Sequence, residues 1–117
     1  MHSTNPELIK LVRVLKKWSR ESGAGTWRDV AERLSSSRQR RVTVNVSQLN
    51  RYTQRGETVL VPGKVLGAGK IDHPLTVAAF AFSKLARSKI INAKGNCLSI
   101  PELMKKKPKG TNVKIIG

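Results

Sequence analysis

Cys97, His2 and His73 are the whole supply of thiol and imidazole in this 117-residue chain. A structural zinc site takes about four Cys or His ligands, so no metal site is expected. Asp72 and His73 stand side by side, a carboxylate beside an imidazole that could begin a general-base pair. No Ser or Cys near them is marked as a nucleophile by a strained turn, and His73-Pro74 reads more simply as a turn. Gly63, Gly69 and Lys70 approach a nucleotide phosphate loop, which needs Gly, four residues, Gly-Lys and then Ser or Thr. Here five residues separate the glycines and Ile71 follows the lysine, so the magnesium-binding hydroxyl is missing. Gly67-Ala68-Gly69 fails as a dinucleotide fingerprint too, because Asp72 holds the third glycine's place. What remains is a small-residue turn whose N–H groups could approach a phosphate, with Lys64 and Lys70 adding charge. An ordinary flexible turn explains it equally well. No cofactor, no small-molecule substrate and no catalysis are expected.

Charge is the dominant chemistry. The chain has 23 Lys and Arg against 7 Asp and Glu, a formal net charge of +16. Such an excess repels itself in a compact fold, and a polyanion relieves it. Nucleic acid does so best, since each phosphate contact releases condensed counterions. A merely heat-stable surface would mix Lys with Glu, and Glu is scarce. The aromatics are Trp18, Trp27, Tyr52, Phe80 and Phe82. Both Trp suit apolar helix faces, and Phe80 and Phe82 lack the glycine-rich basic setting of an RNA-stacking strand. Tyr52, between Arg51 and Arg55, is the best stacking candidate. Recognition should therefore rest on phosphates and shape rather than on single bases.

The elements that must carry these charges are short. Thr4-Asn5-Pro6-Glu7 caps a first helix whose Leu8, Leu11, Val12, Leu15 and Trp18 form one apolar stripe, with Lys10, Arg13, Lys16, Lys17 and Arg20 mostly around the other side. Gly23 and Gly25 end it. A second helix should start at Thr26, with Trp27, Val30, Ala31 and Leu34 inward, followed by the polar loop Ser35-Ser36-Ser37-Arg38-Gln39-Arg40-Arg41. Val42-Thr43-Val44-Asn45-Val46 alternates as a strand, and residues 47–55 form a short helix capped by Ser47 and stopped at Gly56. Pro62-Gly63 signals a turn between strands 58–61 and 64–66. Residues 75–80 read as a buried strand, Ser83 caps a helix through Ala93, Ser99 to Glu102 opens a last short helix, and residues 113–116 end the chain as a strand. The expectation is a single domain over residues 1–117: an α/β fold of short strands alternating with helices, behind an N-terminal amphipathic helix. No apolar run approaches the ~18 residues of a membrane span, and no secretory signal opens the chain. The lone Cys97 excludes an internal disulfide and points to a reducing compartment such as the cytoplasm.

Several strings carry a resemblance. Val44-Asn45-Val46, Gly56-Glu57-Thr58-Val59-Leu60-Val61-Pro62-Gly63-Lys64-Val65-Leu66-Gly67 and Phe82-Ser83 resemble the archaeal and eukaryotic L-eighteen-e ribosomal proteins. So do Trp27-Arg28-Asp29-Val30-Ala31, Glu102-Leu103-Met104 and Pro108-Lys109-Gly110. The similarity runs nearly the whole chain and, without a long C-terminal extension, is closer to the archaeal form. It departs from the family pattern at Ser35-Ser36-Ser37, where relatives carry a proline-containing basic loop. The resemblance implies the irregular strand-strand-helix α/β fold shared with the bacterial L-fifteen protein. It also implies a scaffolding role in the large ribosomal subunit, with large-subunit ribosomal RNA and neighbouring ribosomal proteins as partners. By family position and charge, the expected RNA contacts are Arg38, Arg40, Arg41, Arg51, Arg55, Lys64, Lys70, Lys105, Lys106, Lys107 and Lys109. Arginine's planar fork can hold a phosphate twice, whereas lysine acts as a mobile point charge. The run at 105–109 contains Pro108 and precedes Gly110, so it should drape over a surface instead of extending a helix. The competing classes are a chromatin-type compaction protein, indifferent to which nucleic acid it binds, and a membrane-surface protein using the first helix.

Overall fold

The structure is a computed structural model that describes residues 6–23, 25–36, 42–110 and 112–117. Leu8, Leu11 and Leu15 recur at helical spacing along α1 (Pro6–Ser22) and are buried, while its five cations are exposed. Gly23 ends it by taking φ +74, from which its N–H reaches the Ser19 carbonyl at 2.9 Å. Helix α2 (Gly25–Ser36) packs on α1 through Trp27, Val30, Ala31 and Leu34. Each valine or leucine fully removed from water stabilises the fold by about 1.5–3 kcal/mol.

Five strands follow: β1 (Val42–Asn45), β2 (Thr58–Leu66), β3 (Thr76–Phe82), β4 (Asn96–Ser99) and β5 (Val113–Ile115). Between them lie α3 (Val46–Tyr52), α4 (Lys84–Asn92) and α5 (Ile100–Lys106). The strands form one sheet in the order β1-β2-β3-β4, with β5 also on β2, and every pairing is parallel. Parallel strands need both faces covered. Leu60, Ala78 and Leu98 lie in one core with α1, α2 and α5, and Val59, Val61, Val77 and Ala79 lie in a second core with α3 and α4. Alternate residues of each strand thus serve opposite cores.

The structure corrects the turn expected at Pro62-Gly63. β2 is a single nine-residue strand, and the dipeptide forms a bulge where residues 62 and 63 sit opposite one residue of β3. β5 pairs with Thr58 to Leu60, β1 begins at Gly63, and β3 skips both positions. Pro62 therefore falls where no ladder asks for the N–H it lacks. A second correction concerns α3, whose N-cap lies two residues early, at Asn45 rather than Ser47, with the Gln48 side chain accepting the Asn45 N–H at 3.0 Å. β4, absent from the sequence reading, is a four-residue edge strand beside β3. Ser83 caps α4 as expected, accepting the Ala86 N–H at 3.1 Å, and Ser99 with Glu102 forms the capping box of α5.

Candidate nucleic-acid interface

The expected contacts divide between the two faces of the sheet. On the α3 side, Arg51 is exposed in the last turn of the helix, with its guanidinium 6.0 Å from the centre of the half-exposed Tyr52 ring. Arg55 is exposed in the turn that Gly56 completes at φ +83. The segment after β2 is pinned against this helix. The Asp72 N–H donates to Asn50 Oδ1 at 3.2 Å, His73 Nε2 lies 2.8 Å from Thr53 Oγ1, and the Gly56 N–H donates to the Pro74 carbonyl at 2.8 Å. Lys70, exposed at the head of that segment, is thereby held near the element that carries Arg51. His73 Nδ1 lies 3.2 Å from Asp72 Oδ1, so the imidazole spans Thr53 and Asp72 as a brace. The His73 hydrogen bond holds the Asp72 carboxyl below its ordinary range, with Asn50 helping. Lys64 stands apart from this group, exposed on β2 opposite the exposed Thr43 of β1.

The glycine segment is tied into the fold through the Ala68 N–H and three of its carbonyls. The Ala68 N–H donates to Asn45 Oδ1 at 3.2 Å, and the Ala68 carbonyl accepts the Ser47 N–H at 3.1 Å. Lys89 Nζ donates to the Gly67 carbonyl at 2.7 Å and also to the Gly69 carbonyl. The packing leaves no room for larger residues: a Cβ on Gly69, whose φ is +92, would lie 2.3 Å from Ser47 Cβ. Lys89 was missed in the sequence, although it had a signal there. It sits on the inward side of α4, one turn from Ala86 and beside Ile90, where a lysine needs a polar partner.

On the other face the basic run is anchored. Lys105 and Lys106 close α5, and Lys107 caps it, its N–H donating to the Leu103 carbonyl at 2.8 Å. Its carbonyl accepts the Gly110 N–H at 2.9 Å, closing a turn over residues 107–110. The Pro108 carbonyl accepts two indole N–H groups, Trp27 Nε1 at 2.6 Å and Trp18 Nε1 at 3.1 Å. Trp27 thus packs in the core and the half-buried Trp18 packs against it, and both use their polar edge to hold the turn on the α1–α2 pair. Lys105 and Lys106 at the end of α5 and Lys109 on the anchored turn are exposed, and Lys107 is half-buried. Arg38, Arg40 and Arg41 lie outside the described residues.

Most carboxylates, meanwhile, are turned to internal tasks. Asp29 and Glu32 pair along α2 with Arg33 and Arg28, at 3.3 and 3.5 Å. Glu57 accepts the Gln54 N–H at 2.6 Å and lies 3.4 Å from Lys114 Nζ, and the Gln54 bond chiefly holds its carboxyl low. The Glu102 carboxyl is likewise lowered by the Ser99 N–H it caps. Among the described residues, none of Arg51, Arg55, Lys64, Lys70, Lys105, Lys106 and Lys109 is in an ion pair. Burial pushes the Cys97 thiol up, the opposite of what a nucleophile requires.

The chain matches, over residues 1–117, the family described as ribosomal protein 60S L18 and 50S L18e. It belongs to that family. The large ribosomal subunit protein eL18 of Methanospirillum hungatei is 50% identical, with 97% of this chain and 93% of the relative aligned. The protein of the same name from Methanopyrus kandleri is 54% identical at the same coverage, and that of Methanothermobacter thermautotrophicus is 50% identical. The resemblance seen in the strings around Pro62 and Pro108 therefore extends over the whole chain. No helix among the described residues is long and apolar enough to cross a membrane.

Proposed function

We propose that this chain grips folded large-subunit ribosomal RNA through phosphate contacts on both faces of its sheet, among neighbouring ribosomal proteins. As a member of its family it is a structural constituent of the large ribosomal subunit and not an enzyme. The observation that carries the RNA contacts is the division of charge. Five of the seven carboxylates are held in caps, braces and intrahelical pairs, while among the described residues Arg51, Arg55, Lys64, Lys70, Lys105, Lys106 and Lys109 are exposed and form no ion pair. Arg51, Arg55 and Lys70 supply one surface, with Arg38, Arg40, Arg41 and Lys64 as further contacts. Lys105, Lys106, Lys107 and Lys109 supply the other. The mounting of Arg51, Lys70, Lys105, Lys106, Lys107 and Lys109 on helix ends and pinned turns favours one RNA shape, because a fixed array of cations matches only phosphates at matching spacing.

Filter binding to an archaeal large-subunit RNA transcript tests this. With about six phosphates neutralised, affinity falls at least about a hundredfold between roughly 50 and 200 mM salt. The RNA should also outcompete duplex DNA of equal length at moderate salt. A flat salt response removes the phosphate mechanism, and equal competition by DNA restores the general compaction reading.

A further inference from the structure

One surface bears cations and an aromatic ring but was not among the expected contacts. A groove of about 360 Å³ runs along α4, lined by Phe82, Lys84, Arg87, Ser88, Ile91 and Asn92. Positions 84, 87, 88, 91 and 92 fall on one side of the helix, away from the buried Ala86 and Ile90. The Arg87 guanidinium lies over the Phe82 ring, 5.1 Å from its centre, and Arg87 is exposed. Ile91, half-exposed at 52%, forms an apolar wall. From residue 73 to residue 101 the chain has no Asp or Glu, so no carboxylate of this stretch competes for these cations.

We infer that this groove takes one unpaired nucleotide of the bound RNA, its base stacked on the Arg87–Phe82 platform and its phosphate on Lys84. The inference rests on the RNA-binding reading above and adds a kind of contact that reading lacks. A guanidinium backed by an aromatic ring presents a flat cationic face, which suits a nucleobase. Ser88 and Asn92 offer hydrogen-bond donors and acceptors for the base edge. An acidic peptide would satisfy the charges but leave the flat face and the Ile91 wall unused.

Arg87→Lys tests it, since it keeps the charge, removes the plane and changes an exposed residue outside the buried cores. The probe is an archaeal large-subunit RNA transcript bound by the full chain, read by filter binding across salt and by 2′-hydroxyl acylation of the RNA. Loss of one stacked base weakens binding about 5- to 150-fold. The salt slope should stay at the wild-type value, while one or two unpaired nucleotides regain reactivity. Lys84→Gln should instead lower the slope by about one. Wild-type affinity and an unchanged footprint in Arg87→Lys overturn the inference and leave the wider reading standing. So does weakened capture of another ribosomal protein with RNA binding intact. If the wild-type chain itself fails to bind the transcript, the wider reading falls and takes this one with it.

Discussion

Trp27→Phe is the most informative single perturbation, because it tests whether the basic turn is anchored by the indole pair. Trp27 has no exposed surface, and its N–H donates to the Pro108 carbonyl at 2.6 Å. Phenylalanine keeps an aromatic ring in the core but loses that donor and part of the buried area. The lost hydrogen bond costs about 1 kcal/mol, and ~40 Å² of lost apolar burial costs about another 1 kcal/mol. The carbonyl is not orphaned, because Trp18 still donates to it at 3.1 Å. The sum of about 2 kcal/mol lowers the melting temperature by roughly 8 °C in a domain of this size. Trp18→Phe, at a half-buried position, costs about 1 kcal/mol. The double variant frees the 107–110 turn, so trypsin should cut after Lys106 and Lys109 faster than in either single variant. A melting temperature within a degree of wild type in Trp27→Phe, or no faster cleavage in the double variant, refutes the anchoring.

Four more expectations follow from contacts elsewhere in the fold. A Cβ at position 95 would lie 2.4 Å from the backbone carbonyl of Leu75, so Gly95→Ala should lose more than about 2 kcal/mol in a urea titration. At Gly56 a Cβ meets nothing, and Gly56→Ala should cost only the strain of φ +83, about 1 kcal/mol. Lys89→Met keeps the aliphatic stem and strips the ammonium from the Gly67 and Gly69 carbonyls; a loss of about 1–2 kcal/mol is expected, little changed by salt. Glu57, Asp72 and Glu102 have carboxyls lowered by folding. Their stabilisation is therefore full above their unfolded values of about 4 and is lost as pH falls through the folded ones. The melting temperature should hold from pH 7 to 5 and drop below about pH 4, with a shallower drop in Glu102→Gln, whose amide oxygen can still cap the Ser99 N–H. An equal drop in that variant would show that the cap carboxylate contributes nothing.

Local chemistry made much of the fold legible. The stripe of Leu8, Leu11 and Leu15, the stop at Gly23, and the caps at Ser83 and Ser99 are decided within a turn of chain, so propensity and spacing expose them. The charge excess, and with it the class of partner, is a matter of composition and needs no coordinates. Pro62-Gly63 misled for a physical reason. A dipeptide that turns a free chain can also form a bulge, and which it does depends on β1, β3 and β5 meeting around it. β4 escaped because Asn96 to Ser99 is short, carries a weak pattern and becomes a strand only beside β3.

Residue types and periodicity by themselves pointed to a strongly basic α/β fold, since charge and helix stripes are properties of the chain. Tertiary structure alone decided which cations stand free and which brace the fold. Lys89 and Arg87 are two residues apart on one helix, yet one closes a glycine loop and the other lies exposed over Phe82. Likewise, the Pro108 carbonyl gains its two indole donors from residues 81 and 90 positions away. Contacts of that range are set by packing, and no local pattern encodes them.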